Sequence, residues 1–210
     1  MFLRSLLTTL VCWLGATTHT SADIYTIVAV DVSGSVPSVV LQEEACPSIR
    51  CGQSFIEAQQ LAFVQALSTL ADPQCSSQSH LMVAQWSSRL SPLSSWLSLS
   101  TASDRTRTAR QLELLNFRLS GRTLHRRAFE EALLLLNQVY PTRGMIVIIT
   151  DDGVRSDGWV MGQEGYGLAE EQGYEYVEIV LSGRDTIQSL ARELSEIFKG
   201  LHSSPFLCLG

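Results

Sequence analysis

The chain has 210 residues, 45% of them hydrophobic, enough for one α/β domain with a full core and a short insertion. The net charge is −6, and Lys199 is the only lysine among otherwise arginine cations. The densest basic stretch, Arg118, Arg122, Arg126 and Arg127, is short and broken by apolar residues. It is no phosphate-tracking surface, so the charge pattern argues against nucleic-acid binding.

Residues 1–22 read as a signal peptide. Arg4 supplies a basic start, and the apolar run at 6–15 is shorter than the ~18–20 residues that span a bilayer. A membrane anchor is the competing reading, but no stable membrane span is expected. Thr20-Ser21-Ala22 places cleavage after Ala22, and the destination is secreted or periplasmic. Thr9-Leu10-Val11 before Cys12 puts a bulky valine where a lipidation signal needs a small residue. A single domain is expected over 23–210, with a cysteine-bearing insertion at 36–54 and a tail at 200–210. Four cysteines remain after the leader: Cys46, Cys51, Cys75 and Cys208. In an oxidising compartment an even number favours disulfides, with three possible connectivities. Their spacings match no common zinc pattern.

In chain order, the apolar run from Asp23 to Val30 is a buried strand. It ends in Asp31-Val32-Ser33-Gly34-Ser35, which brings a carboxylate and two hydroxyls to one spot around a glycine that permits a tight turn. Residues 37–53 read as irregular. A helix is expected over 55–71, with Ile56, Phe63, Val64, Leu67 and Leu70 as its apolar stripe and Asp72-Pro73 as its stop. A strand follows at 80–86, then a tight turn at Ser87-Ser88 and an edge strand at 90–99. Thr101-Ala102-Ser103-Asp104 caps a polar helix expected to end near Leu119. Ser120-Gly121-Arg122-Thr123 is a loop, and 124–139 a helix closed by Pro141. Met145 to Thr150 is almost continuously apolar, as a parallel strand buried on both faces should be, and runs into Asp151-Asp152-Gly153. A helix at 161–172, a strand at 176–181 and a last helix at 186–198 complete the chain. The alternation predicts an α/β, doubly wound, Rossmann-like sandwich: a mainly parallel central sheet, one antiparallel edge strand, and helices on both faces.

In such sheets ligands bind at the carboxyl ends of the strands. Asp31, Ser33 and Ser35, then Thr123, then Asp151 fall at that edge. Hard divalent cations take oxygen ligands in near-octahedral arrays, and this donor set suits one. Taken singly, each residue has a plainer role. Ser33 and Ser35 would be turn hydroxyls, Asp31 a helix cap, Thr123 the N-cap of the 124–139 helix, and Asp151 or Asp152 turn residues before Gly153. Their convergence on one edge favours the metal site.

Asp-Val-Ser-Gly-Ser at 31–35, Ser-Gly-Arg-Thr at 120–123 and Ile-Ile-Thr-Asp-Asp-Gly at 148–153 together resemble the von Willebrand factor A domain family, over about 23–199. The resemblance implies a metal-ion-dependent adhesion site (MIDAS). Ser33, Ser35 and Thr123 would then be direct hydroxyl ligands of Mg²⁺ (or Mn²⁺), with Asp31 and Asp151 acting largely through water. The partner it implies is a protein ligand that presents an Asp or Glu carboxylate to the open position of the ion. Two departures stand out. The family ending Thr-Asp-Gly is here Thr-Asp-Asp-Gly, so Asp152 is an alternative to Asp151. Arg122 stands where a small residue is frequent; it is either a solvated loop charge or a contact for an acidic ligand. Asp157 fits the family's further acid and is read as structural. With the cysteines arranged on that fold, the implied disulfides are Cys46–Cys51 and Cys75–Cys208.

Two other classes compete. A strand-end aspartate resembles Mg²⁺-dependent phosphohydrolases of the haloacid-dehalogenase type, but those need a second carboxylate where Ser33 stands and a basic residue, usually lysine, on the phosphate. His80, His125 and His202 are scattered, with no nucleophile–base pair, and the glycines at 162, 165 and 167 follow no strand. The third class is an interaction scaffold that keeps the fold and has lost the ion. No catalytic residues are assigned.

Overall fold

The structure is a computed structural model that describes residues 23–34, 36, 40–41, 53–70, 78–119, 121–122, 124–151, 165–182 and 184–202. The expected signal peptide, the four cysteines with their pairings, Asp157 and the tail beyond residue 202 lie outside the described residues. The elements in order are β1 (Asp23–Asp31), β2 (Val40–Leu41), β3 (Gln53–Ser54), α1 (Phe55–Ser68), β4 (Gln78–Trp86), β5 (Leu90–Pro92), β6 (Leu97–Ser98), α2 (Ala102–Glu113), α3 (His125–Val139), β7 (Arg143–Thr150), α4 (Tyr166–Glu171), β8 (Glu175–Val180) and α5 (Ile187–His202).

The main sheet runs β5-β4-β1-β7-β8, with β6 also pairing β4. The β4–β1–β7–β8 pairings are parallel, and β5 and β6 run antiparallel on the β4 edge. Central β1 is covered on both faces, which is why its sequence lacks a polar alternation. On one face Ile24, Val28 and Val30 join Phe55, Phe63 and Leu67 of α1 and Leu190 and Leu194 of α5. On the other, Ile27 and Ala29 join Met82, Ala84 and Trp86 of β4, Ile146 and Ile148 of β7, and Phe129 and Leu136 of α3. Side chains alternate along a strand, so the last residues of β1 and β7, Asp31 and Thr150, fall on the α3 side.

Caps set the helix starts. The Thr101 hydroxyl accepts the Asp104 backbone N–H at 3.1 Å and donates to the Asp104 carboxylate at 2.8 Å, as expected for the start of α2. Before α5, Thr186 and Ser189 exchange bonds: each side-chain oxygen accepts the other's backbone N–H, at 2.9 and 3.0 Å. The α1 terminus is tied to α5 by a 2.8 Å hydroxyl pair, Thr69 with Ser195.

Several expected boundaries shift. The edge strand expected over 90–99 is broken into β5 and β6. Between them the Leu93 and Ser94 backbone N–H groups both donate to the Val83 carbonyl, and the Ser94 hydroxyl accepts the Val83 N–H at 2.9 Å. A serine side chain thus takes over a ladder position. The helix expected to reach Leu119 stops at Glu113, because Leu114 and Leu115 tighten into i→i−3 bonds and the Gln60 amide captures the Leu115 carbonyl at 2.6 Å. The stretch read as irregular contributes the two-residue ladders β2 and β3. α1 ends at Ser68 rather than 71, α5 runs on to His202, and of the helix expected over 161–172 the described residues show Tyr166–Glu171, residues 161–164 lying outside them.

Candidate metal centre

Asp31 closes β1 at the carboxyl edge and is fully buried. Its neighbours follow from register. Trp86 of β4 lies opposite on one side, and on the other Val30 pairs with Ile149, which sets Thr150 beside Asp31. The Thr150 hydroxyl donates to Asp31 Oδ2 at 2.8 Å, and the Ser33 backbone N–H donates to Oδ1, also at 2.8 Å. The chain then turns: the Val32 N–H donates to the Trp86 carbonyl at 2.9 Å, and the Val36 N–H to the Ser33 carbonyl at 3.3 Å. Ser33, 1% exposed, is held inside that turn.

The Asp31 carboxyl is pushed up to about 6. Burial is the main cause; the Ser33 N–H, the Ser33 hydroxyl and the Thr150 hydroxyl oppose it, and the charge of half-buried Asp151 adds to the rise. Asp151 is thus close enough for its charge to disfavour ionisation of Asp31. A cation at this edge would relieve that repulsion. Among the described residues no group of three His, Cys, Asp or Glu side chains comes together. The buried Ser33 hydroxyl beside Asp31 is an oxygen donor of the kind that hard divalent cations take.

The second expected contributor is the loop before α3. Gly121 adopts φ +73°, a left-handed conformation that favours glycine, and a Cβ there would stand 3.3 Å from the Ser87 hydroxyl. The Leu124 N–H donates to the Ser87 carbonyl at 2.9 Å. A Cβ on Gly34 would stand 4.0 Å from the Gly121 carbonyl oxygen, so this loop lies against the Asp31–Ser33 turn. The cap residue of α3 is Leu124, with no side-chain cap bond, so Thr123 does not hold the N-cap position. Thr123 itself, Ser35 and Asp152 lie outside the described residues. The structure brings Asp31 and Ser33 together, sets Asp151 directly after the next strand, and leaves Arg122 exposed in the loop that follows Gly121.

Sequence reasoning missed Thr150 as the hydroxyl that holds Asp31, and the pair Trp86–His125. His125, 1% exposed in the first turn of α3, lies with its ring 4.8 Å from that of Trp86 and fixes the helix start against the end of β4. A signal for Thr150 did exist, since a hydroxyl ending an apolar strand next to β1 must face the same way as Asp31 if the two strands end level.

Among solved structures, the chain is similar to a von Willebrand factor type A protein from Catenulispora acidiphila, with 15% identity and a TM-score of 0.55 over 85% of this chain and 42% of that one. It is also similar to proximal thread matrix protein 1 from the mussel byssus, at 11% identity and TM-score 0.54 over 87% of this chain and 46% of that one. A form of that mussel protein with a zinc-occupied MIDAS motif matches at 10% identity and TM-score 0.54, over 85% and 46%. Such identities speak to fold alone, and the fold is that of a von Willebrand factor A domain. The chain spans under half the length of these solved chains. No protein-family model matches the sequence, and neither does any curated protein.

Proposed function

We propose that the chain is an exported von Willebrand factor A-type binding domain, not an enzyme, that engages a protein ligand through a divalent cation. Ser33, Ser35 and Thr123 would hold the ion by their hydroxyls, and Asp31 and Asp151 (or Asp152) would act through water. Mg²⁺ is the proposed ion, with Mn²⁺ as a substitute. The bound ion would supply a Lewis-acidic position that a ligand Asp or Glu completes. The observation that carries this reading is a fully buried aspartate at the carboxyl edge, held by a backbone N–H and a threonine hydroxyl and raised to about 6. Export rests on the leader-like sequence at 1–22, and Cys46–Cys51 with Cys75–Cys208 are the proposed bridges.

The same geometry weighs against the phosphohydrolase reading. A phosphohydrolase of that type needs a second carboxylate two residues after its nucleophilic aspartate, and that position here is Ser33, buried in the turn. The experiment is calorimetric titration of Mg²⁺ and Mn²⁺ into the full chain and its Asp31→Asn variant. The expected result is saturable binding that weakens by about 10–100-fold in the variant, as when a group that orients metal ligands is lost. No heat and no thermal stabilisation at millimolar metal would sink the proposal in favour of a metal-free scaffold.

A further inference from the structure

We propose that the β4 side of the site is a basic shelf that takes an acidic polypeptide segment, in which further Asp or Glu side chains follow the carboxylate on the cation. The inference rests on the proposed function for the ion, but the arginines stand without it. Arg89, Arg118 and Arg122 are exposed. Each is tied to the end of β4 by the backbone of its own loop. The Ser87 N–H donates to the Arg89 carbonyl at 3.1 Å and closes the turn after β4. The Arg118 N–H donates to the Gln85 side-chain oxygen at 2.8 Å. Arg122 lies between Gly121, packed on Ser87, and Leu124, bonded to Ser87. Trp86, next in line, is the register partner of Asp31. The loops that carry the three arginines are therefore anchored on the end of β4, the strand beside β1 and one strand spacing, ~4.8 Å, from it.

Arg107, Arg126, Arg127, Arg143 and Lys199 each make an ion pair with a carboxylate of this chain. Among the described residues Arg89, Arg118 and Arg122 make none. Position at the end of β4, rather than pairing alone, sets them apart, since Arg110, Arg184 and Arg192 likewise make no ion pair among the described residues. In a chain with 21 acidic against 15 basic residues, the shelf is a local inversion of charge. The opposite side, after β7, carries Asp151, followed in sequence by Asp152 and Asp157. A ligand carboxylate at the ion would thus have Asp151 on one side and the arginine-bearing loops on the other. Guanidinium binds carboxylate in a two-point geometry, so further acids are directed over β4 and away from β7. A sulfated polysaccharide or an anionic membrane would need an extended cationic surface. Three arginines around one turn, on an otherwise acidic chain, suit a short acidic segment instead.

The test measures binding of acetylated peptides carrying one, three or six aspartates to the full chain in Mg²⁺, at low and raised salt. The three-aspartate peptide should bind about tenfold more tightly than the single-aspartate one, and raised salt should erode that advantage. Reversing Arg89→Glu and Arg118→Glu together should cost the three-aspartate peptide about tenfold and barely affect the single-aspartate one. Arg192→Glu, exposed on α5, should change neither. Equal binding of all three peptides, indifferent to the reversal, or no peptide binding at all, would overturn the shelf. Arginine-dependent binding that survives EDTA would uphold the shelf and count against the cation reading. A heparin fragment or phosphatidylserine vesicles binding more tightly than the six-aspartate peptide, with the same arginine dependence, would overturn the polypeptide assignment.

Discussion

At the scale of the residue, Asp31 sits in an environment that suits its protonated form until a cation is supplied. Its carboxyl lies above the ordinary 3.8, at about 6, so the folded chain holds that proton more tightly than the unfolded chain does. The sign follows directly. The contribution to stability is fully present below about 3.8 and is lost as pH rises through about 6. In chelator, wild-type stability should fall more steeply from pH 4.5 to 7 than that of Asp31→Asn, which has no carboxyl to titrate there. Denaturant unfolding of both proteins at the two values reads the difference, expected to be about 2 kcal/mol. Parallel behaviour of the two would mean that burial does not raise Asp31. Added Mg²⁺ should flatten the wild-type trend, because an ion near Asp31 favours the ionised form.

At the scale of the element, the site depends on where β1, β4 and β7 stop and on one loop packed against them. Gly121 is the most sensitive point of that loop, combining φ +73° with a Cβ position 3.3 Å from the Ser87 hydroxyl. Gly121→Ala should destabilise the chain by about 1 kcal/mol or somewhat more and weaken metal binding, since the strain is placed two residues before Thr123. Thermal unfolding and metal titration of that variant check both parts; unchanged metal affinity would detach the loop from the site. Much of this element layer is legible in the sequence. The continuous apolar runs of β1, ending in Asp31, and β7, followed directly by Asp151, announce buried parallel strands and the edge at which they terminate. What pattern could not reveal was set by side chains reaching across elements. Ser94 replaces a ladder partner and splits the edge strand, and Gln60 of α1 ends α2 early. The Thr150–Asp31 bond required knowing that β1 and β7 end level. Periodicity within one segment carries none of these long-range pairings.

At the scale of the whole molecule, the two cores on either face of the sheet make a firm base, and the carboxyl edge gathers the polar groups that the cores exclude. The donor types were readable because three short motifs occupy matching stations on an alternating fold. The anchoring of the loops that carry Arg89, Arg118 and Arg122 was not, since it depends on bonds to the end of β4 from distant parts of the chain. The central claim is that a divalent cation is held at this edge by hydroxyl oxygens, with Asp31 behind it. Crystals of the full chain soaked in Mn²⁺ and measured at the manganese absorption edge test it most directly. The account predicts one anomalous peak bonded to the side-chain oxygens of Ser33, Ser35 and Thr123, with Asp31 and Asp151 reached through water. A peak elsewhere, or none at saturating Mn²⁺, would contradict it.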